Sequence, residues 1–381
     1  MDIQQNDTPA LRFPPFTEGW VRKKLGEVLT IGSGKDYKHL GKGNIPVFGT
    51  GGLMTTVDNY LYDGETVCIG RKGTIDKPMY FHGKIWTVDT LFYTHSFINS
   101  SPKFVFNLFQ RINWKEHNEA SGVPSLSKST IEQIQLNLPT LPEQQKIAAF
   151  FTAIDAKLQQ LKEKKRLLEA YKKGVMQQLF SQAIRFKNTE GGNFEDWEVR
   201  RLGELTYKTD KKNKENISYP VYSINNKEGF LPQSDQFEGV DSHDRGYDVS
   251  LYKIIQSNTF AYNPARIDVG SIGFSGDLND IIISSLYVCF KTKDELNDDF
   301  LMIYLKSDEF NKAVLRKTEG GVRKYLFYEN FSDIEIPIPS LAEQTQIANF
   351  LSAIDEKIKN TEGVIGQLVM WEKGLLQQMF V

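Results

Sequence analysis

The chain carries one segment twice, 200 residues apart. LPEQQKIAAFFTAIDAK begins at Leu141, and LAEQTQIANFLSAIDEK begins at Leu341. The flanking sequences also repeat, as EGWVRKKLGEV from Glu18 and EDWEVRRLGEL from Glu195, TIEQIQLNLP from Thr130 and NFSDIEIPIP from Asn330, and GVMQQLF from Gly174 and GLLQQMF from Gly374. An internal repeat of this kind predicts two structurally similar halves related by a pseudo-two-fold, in the order globular domain, helix, globular domain, helix.

Each repeated segment is predicted to begin a long helix. Thr140 with Glu143, and Ser340 with Glu343, match the S/T-x-x-E pattern of a capping box. Apolar residues then recur at alternating spacings of four and three, which is the signal of a coiled coil. This predicted seam comprises Ile147, Phe151, Ile154, Leu158, Leu161 and Leu168 in the first helix, and Ile347, Leu351, Ile354, Ile358, Ile365 and Leu368 in the second.

A long helix with one apolar stripe needs a partner to be stable. The equal lengths and matching phases predict that the two helices pair with each other as an antiparallel coiled coil, about 54 Å long for about 36 residues. In this arrangement Lys165 lies opposite Thr361, and we interpret that polar pair as a register device. Two alternatives stay open, namely that the stripes pack on the globular domains or drive homodimerisation.

The regions between the helices predict an α+β fold. Segments such as ETVCIG and IIISSLYVCFKT are typical of strands, whereas PKFVFNLFQRINWK from Pro102 and DDFLMIYLKSDEFNKAVLRK from Asp298 each predict a single helix. The predicted organisation is an N-terminal tail (1–15), a first globular domain (16–139), a first helix (140–182), a linker (183–193), a second globular domain (194–339) and a second helix (340–381).

Composition limits the class of protein. Of 381 residues, 40% are hydrophobic and 25% are charged, which is typical of a soluble globular protein. No apolar run is long enough to span a bilayer, and the polar N-terminus does not match a signal peptide, so we expect a cytoplasmic protein with no membrane partner. Two cysteines in different halves form neither a disulfide framework nor a zinc site.

Motifs for catalysis and metal binding are not evident. The five histidines have no metal-ligand spacing, and no nucleophile elbow is present. YNPARI from Tyr262 lacks the second proline and the aromatic residue of the amino-methyltransferase motif. A Ser/His/Asp set stays open from sequence alone. We therefore expect the chain to catalyse nothing by itself and to hold no metal.

Polar and basic loops in both halves are the candidate binding residues. Arginine and lysine suit guanine edges and phosphates, and asparagine suits adenine. The candidates are Lys35, Tyr37, Arg71, Lys72, Asn225, Asn226, Arg245, Arg266, Arg323 and Lys324. The net charge of −2 is unusual for a nucleic-acid-binding protein.

The whole pattern resembles the DNA-specificity (S) subunit of type I restriction-modification enzymes. The resemblance depends on L-x-E-Q-x-x-I-A-x-F-x-x-A-I-D-x-K at 141–157 and 341–357, and on a Trp-containing segment before each domain, at Trp20 and Trp197. It implies that each globular domain is a target recognition domain for one half of a bipartite site in double-stranded DNA, with the helices as spacers.

The same resemblance implies partners and cofactors. Two methyltransferase (M) subunits would dock along the helices and hold S-adenosylmethionine, and restriction (R) subunits that use ATP and Mg²⁺ would join through them. In this interpretation the isolated chain binds DNA weakly and with steep salt dependence, because partner subunits supply many phosphate contacts. The competing hypotheses are a coiled-coil scaffold that never binds DNA, and an enzyme with an unrecognised active site.

Overall fold

The computed structural model describes residues 8–317 and 325–381. The chain forms two compact units, which we call unit 1 (Met1–Lys164 with Thr361–Val381) and unit 2 (Lys165–Asn360). Two long helices, α4 (Leu141–Phe180) and α10 (Leu341–Met379), each contribute one part to each unit. They are the two helices that the repeat and its heptad spacing predict.

The globular part of unit 1 is built on a six-stranded sheet in the order β2-β7-β5-β6-β3-β4, with a separate antiparallel pair β1-β8. The strands are β1 (Val21–Lys24), β2 (Thr30–Ser33), β3 (Ile45–Gly49), β4 (Gly52–Val57), β5 (Tyr62–Gly70), β6 (Met79–Thr87), β7 (Leu91–His95) and β8 (Gln135–Leu138). The helices are α1 (Leu25–Val28), α2 (Pro102–Arg111) and α3 (Lys128–Gln133), with a 3-10 turn at Trp114–His117.

The globular part of unit 2 has two four-stranded sheets, β10-β17-β14-β15 and β12-β11-β16-β13, and an antiparallel pair β18-β9. Its strands are β9 (Glu198–Arg201), β10 (Thr206–Thr209), β11 (Val221–Asn225), β12 (Gly229–Pro232), β13 (Lys253–Ile255), β14 (Phe260–Tyr262), β15 (Ile272–Phe274), β16 (Ile281–Ile283), β17 (Val288–Thr292) and β18 (Glu335–Ile338). Its helices are α5 (Leu202–Leu205), α6 (Gln233–Gln236), α7 (Asp298–Tyr304), α8 (Asp308–Lys317) and α9 (Tyr328–Ser332), with a 3-10 turn at Ile267–Val269.

The two globular parts share one strand plan. The order β2-β7-β5-β6 of unit 1 reappears in unit 2 as β10-β17-β14-β15. In unit 1, β6 also pairs in parallel with β3, and in unit 2 the parallel partner of β11 is β16. One nine-residue strand in unit 1 therefore corresponds to two three-residue strands in unit 2, so the interiors of the two globular parts differ in structure as well as in sequence.

Each unit contains an antiparallel helix pair. In unit 1, Phe151 of α4 lies 6.1 Å from Phe380, and Asp155, one turn further along α4, contacts Glu372, which lies earlier in the chain. In unit 2, Lys172 of α4 forms an ion pair with Asp355 of α10 at 2.6 Å. As the residue number increases along α4, the number of the residue that it contacts near or on α10 decreases, as an antiparallel pair requires.

The seam positions are most buried near the start of each helix. The core of unit 1 contains the seam residues Ile147, Phe151, Ile154 and Leu158 of α4, together with Leu375, Met379 and the half-buried Ile365 and Leu368 of α10. The core of unit 2 contains Ile347, Leu351, Ile354 and the half-buried Ile358 of α10, together with Leu179 of α4. Leu161 and Leu168 are half-buried. Each cluster also includes residues of the globular part, such as Phe104 and Phe300. The stripes therefore pack on the globular parts as well as on each other.

The prediction of a single helix in each globular part is wrong. The segment from Asp298 to Lys317 is two helices, α7 and α8, because the Ser307 hydroxyl accepts a hydrogen bond from Phe310 N (3.1 Å) and starts a new helix. Short helices such as α3 and α9 precede the last strand of each globular part. No helix within the described residues is both long and apolar enough to cross a membrane.

Candidate DNA interface

The loop after β2 in unit 1 presents Lys35 because glycine allows a close backbone approach. A Cβ on Gly34 would lie 1.9 Å from the Val88 carbonyl oxygen, so any larger residue would push the loop away. Lys35 N donates to Thr87 O (2.9 Å), and the Trp86 indole donates to Lys35 O (2.8 Å). The backbone of Lys35 is thus fixed at the end of β6 while its side chain is exposed.

The loop after β5 is bonded to the turn at residues 87–90, which also holds the backbone of Lys35. Arg71 N and Lys72 N both donate to Thr90 O, at 2.8 and 3.3 Å, and an Arg71 Nη donates to Asp89 O (3.5 Å). The guanidinium lies 5.9 Å from the centre of the Phe92 ring. The turn at 87–90 therefore brings together Lys35, Arg71 and Lys72, three of the four candidates that the sequence places in this domain.

A cavity of about 500 Å³ lies beside Arg71 and Lys72. Its other wall is the loop before α3, which is joined to the Arg71 loop by Gly73 N to Pro124 O (2.8 Å) and Leu126 N to Arg71 O (2.9 Å). The lining includes the residues Ser33, Phe92, Glu119, Ser125, Ser127 and Lys128. The combination of cationic side chains, hydroxyls and a flat ring suits a phosphate or a base edge.

Glu119 shapes this wall. Its carboxylate accepts hydrogen bonds from the hydroxyls of Thr130 and Ser127, which lower its pKa below the ordinary value. The Glu119 carboxylate is therefore ionised at neutral pH, and these hydroxyl groups stabilise its negative charge. Lys128 and Glu119 were not among the sequence candidates, although the glycine-containing loop SGVPSLS that precedes Lys128 was a visible signal.

Unit 2 has an equivalent loop after β14, and it carries Arg266. Arg266 N donates to Asn263 O (3.0 Å), Ser271 N donates to Arg266 O (3.1 Å), and the side chain is exposed. The carbonyl of Asn226 lies 3.8 Å from a Cβ built on Gly270, so the tip of the β11–β12 hairpin lies beside this loop. The structure thus places Asn226 next to the loop that carries Arg266.

The other candidates have different surroundings. The Asn225 side chain accepts from Lys227 N (2.8 Å) and Glu228 N (3.3 Å), so it holds the hairpin turn. The Tyr37 ring is half-buried against a small apolar cluster with Trp86. Arg245 stacks 4.9 Å over the ring of Phe237 in the loop after α6. Arg323 and Lys324 lie outside the described residues.

A second group of polar residues, which the sequence interpretation missed, lies at the start of each long helix. Buried Glu143 accepts from Arg12 Nε and Nη (2.7 Å each), and buried Glu343 accepts from Arg185 Nε (3.1 Å) and Nη (2.8 Å). These bonds raise the pKa of each arginine above its ordinary value. The two glutamates predicted as capping-box residues therefore bind arginines. The signal was the repeat of L-R-F at 11–13 as I-R-F at 184–186.

These arginines lie in segments that the sequence assigns to a tail and a linker. Arg12 and Arg185 also each donate to a backbone carbonyl, of Glu18 and of Glu195. The aromatic residue that follows each arginine packs on its helix, with ring centres 5.4 Å apart for Phe13 and Phe150. Both segments therefore secure the globular part to the helix in their own unit.

Comparison with known proteins decides the family. The sequence profile of the type I restriction modification DNA specificity domain matches residues 17–170 and again 194–369. The chain belongs to this family. It is a DNA-recognition subunit of a type I restriction-modification system, and the two matches coincide with the two halves of the repeat.

Individual relatives agree with this assignment. The chain is 26% identical over 321 residues to the MjaVIII specificity subunit of Methanocaldococcus jannaschii, which covers 78% of this chain and 72% of that protein. It is 22% identical over 302 residues to the MjaIX specificity subunit of the same organism, covering 73% and 68%.

Solved structures show the same fold. An S subunit from M. genitalium superimposes with a TM-score of 0.62 at 14% identity, covering 98% of this chain and 99% of that one. A chain from a structure of type I R-M complex assembly superimposes with a TM-score of 0.53 at 16% identity, covering 97% and 99%. Across residues 8–317 and 325–381, no group of three or more His, Cys, Asp or Glu side chains could hold a metal ion.

Proposed function

We propose that each globular part reads one half of a bipartite DNA site, through the face around Arg71 in unit 1 and the face around Arg266 in unit 2. The observation that carries this proposal is a repeated backbone bond. Leu126 N donates to Arg71 O (2.9 Å), and Leu326 N donates to Pro264 O (3.0 Å). The two leucines are 200 residues apart, so equivalent loops lie at the same place in equivalent sheets, with Arg71 at the bonded position in unit 1 and Arg266 two residues after it in unit 2.

The side chains suit base recognition. Arginine donates two hydrogen bonds to guanine O6 and N7, and asparagine pairs in the same way with adenine N6 and N7. Among the described residues, the Arg71 side chain has only a long hydrogen bond to Asp89 O and a ring contact with Phe92, which leaves most of its N–H groups available. Because the two halves differ in these loops, they would read different half-sites.

The remaining parts of the machinery would come from partners. The two helix pairs are equivalent surfaces, and we propose that each takes one copy of a methyltransferase subunit, with restriction subunits joined through these copies. S-adenosylmethionine, ATP and Mg²⁺ would be bound by those partners, and this chain would contribute no catalytic group. The complex would act in the cytoplasm, where the DNA is.

The net charge of −2 supports the idea that partner subunits supply many of the phosphate contacts. Phosphate neutralisation supplies much of protein–DNA affinity, and this chain has no excess of cations for it. We expect the isolated chain to bind its site weakly, with an affinity that falls steeply as salt rises. Tight and site-specific binding by the isolated chain in physiological salt would contradict this expectation.

The adenine methylome of the host, with and without this gene, is the direct test. Loss of one bipartite methylated motif would support the proposal and would give both half-sites. The Arg71→Ala variant should then relax specificity in one half-site only, and Arg266→Ala in the other, by about 1–3 kcal/mol of base discrimination each. Arg22→Ala and Arg201→Ala, which remove exposed cations on β1 and β9, are the matched controls.

Two results would count against the proposal. An unchanged methylome, with this gene and its partner methyltransferase both expressed, would favour the scaffold hypothesis. Equal loss of discrimination at both half-sites in the Arg71→Ala variant would contradict the assignment of one half-site to each unit.

A further inference from the structure

In each long helix, a glutamine directly follows the buried glutamate of the first turn, and it forms hydrogen bonds with separate parts of its unit. Gln144 is buried at the start of α4. Its amide nitrogen donates to Asn99 O (3.2 Å) and Pro139 O (2.9 Å), and its amide oxygen accepts from Ser101 N (3.0 Å). One side chain thus joins the first turn of the long helix, the end of β8 and the segment that leads into α2.

Gln344 makes the same three bonds in unit 2. Its amide nitrogen donates to Glu295 O (3.1 Å) and Pro339 O (2.9 Å), and its amide oxygen accepts from Asn297 N (2.8 Å). The partners are the segment that leads into α7 and the end of β18. The two globular parts differ in their interiors, yet the joint between globular part and long helix has the same hydrogen bonds in both units.

A buried amide held in this way resists rotation of the domain on the helix. Both N–H donors of the amide are used, and its oxygen is also bonded. Any tilt that lengthens one of the bonds leaves a buried polar group unsatisfied. The neighbouring Glu143–Arg12 pair binds the segment before β1, so the globular part is held to the helix from two sides.

We propose that Gln144 and Gln344 are positioning residues that fix the angle of each recognition domain on its helix and thereby the gap between half-sites that the complex accepts. This inference rests on the proposed function. One added base pair moves a half-site by about 3.4 Å along the duplex and rotates it by about 34°. A rigid joint cannot follow that displacement, whereas a loosened joint can.

The experiment uses the complete complex, reconstituted from this chain and its methyltransferase subunits. Methylation rates are measured on duplexes that carry the natural gap, and on duplexes with one base pair more or fewer. The variants are Gln144→Ala, Gln144→Glu, which keeps the acceptor for Ser101 N and loses both donors, and Gln145→Ala as an exposed neighbouring control. The readout is the ratio of the rate on the natural gap to the rates on the altered gaps.

We expect the ratio to fall by about tenfold for Gln144→Ala and by at least as much for Gln144→Glu, whose buried carboxylate would face the carbonyl oxygens of Asn99 and Pro139. It should not change for Gln145→Ala. A ratio that stays at the wild-type value while all rates decrease in parallel would show a merely structural role and overturn the proposal. If Gln144→Ala does not fold, Gln344→Ala, which removes the same three hydrogen bonds in unit 2, decides the question. Absence of methylation on every duplex by the wild-type complex would instead reject the proposed function.

Discussion

The helix pairs of the two units differ in charge at one contact between equivalent positions, and this difference can be tested by mutation. In unit 2, Lys172 forms a 2.6 Å ion pair with Asp355. In unit 1 the equivalent side chains are Glu372 and Asp155, which contact each other as two carboxyl groups. The Glu372→Lys variant converts the second arrangement into the first.

The pKa shifts give the sign of the effect. Burial raises the pKa of Asp155, and burial together with the charge of Asp155 raises the pKa of Glu372. Groups with a raised pKa in the folded state stabilise it fully below their unfolded pKa, and this contribution is lost as pH rises through the folded value. The wild-type pair therefore destabilises unit 1 at neutral pH relative to more acidic pH, where it takes up protons.

The expected magnitude is modest because both side chains are partly exposed. An ion pair at such a position contributes roughly 0.5–1 kcal/mol, and removing the carboxylate repulsion adds a comparable amount. We expect Glu372→Lys to stabilise unit 1 by about 1 kcal/mol at pH 7.5, which corresponds to about 2–4 °C in Tm for a unit of this size. The gain should shrink towards pH 4.5, because the raised pKa values mean that the wild-type pair binds more protons as the pH falls.

Tryptophan fluorescence during thermal unfolding is the appropriate assay. The chain has five tryptophans, and four of them, Trp20, Trp86, Trp114 and Trp371, belong to unit 1. Gln367→Lys, which places a lysine at an exposed position of α10 and raises the net charge by one unit against two for Glu372→Lys, controls for the addition of a cation to this helix.

Two outcomes would refute the reasoning about Glu372. The first is a Tm for Glu372→Lys that is unchanged or lower at pH 7.5. The second is a stabilisation of equal size at pH 4.5 and pH 7.5, or one that the Gln367→Lys control reproduces.

Three further perturbations have clear expected outcomes. Gly366→Ala should stabilise α10 by about 1 kcal/mol, measured as a higher Tm, since a Cβ there meets no atom within 4 Å. Gly34→Ala should abolish discrimination at the half-site read by unit 1 and leave the other intact in methylation assays, because its Cβ would lie 1.9 Å from Val88 O. Arg12→Ala should destabilise unit 1 by about 3–5 kcal/mol in denaturant titrations, because buried Glu143 loses its partner; a double Arg12→Leu/Glu143→Leu variant that is no more stable than Arg12→Ala would contradict this account.

Local pattern was sufficient for the parts of the fold that depend on periodicity. The heptad spacing gave both long helices nearly to the residue, since a helix places its apolar stripe at fixed intervals and the capping residues mark its start. The same reasoning identified the strands around Cys68 and Cys289, because buried strands are continuous apolar runs. It failed at Ser307, where a polar side chain ends one helix and starts another within an otherwise helical pattern.

For the candidate interface, too, the sequence indicated some features and left others to the tertiary structure. Residue type and loop position selected Lys35, Arg71 and Arg266 as candidates, but the sequence could not show that the 87–90 turn brings Lys35 and Arg71 together, because that turn joins chain segments more than 30 residues apart. Residue type likewise could not show that the ring of Tyr37 packs on a small core.

The sequence by itself determined that this protein has two similar halves, each with a globular part and a long helix, because duplication and heptad periodicity are properties of residue order. Only the tertiary structure decided how a globular part is held to its helix. The joint consists of Glu143, Gln144 and Arg12, and of their counterparts in unit 2. Its bonds connect residues up to 158 positions apart, and burial of charged and amide groups is favourable only once the folded chain has brought their partners within reach.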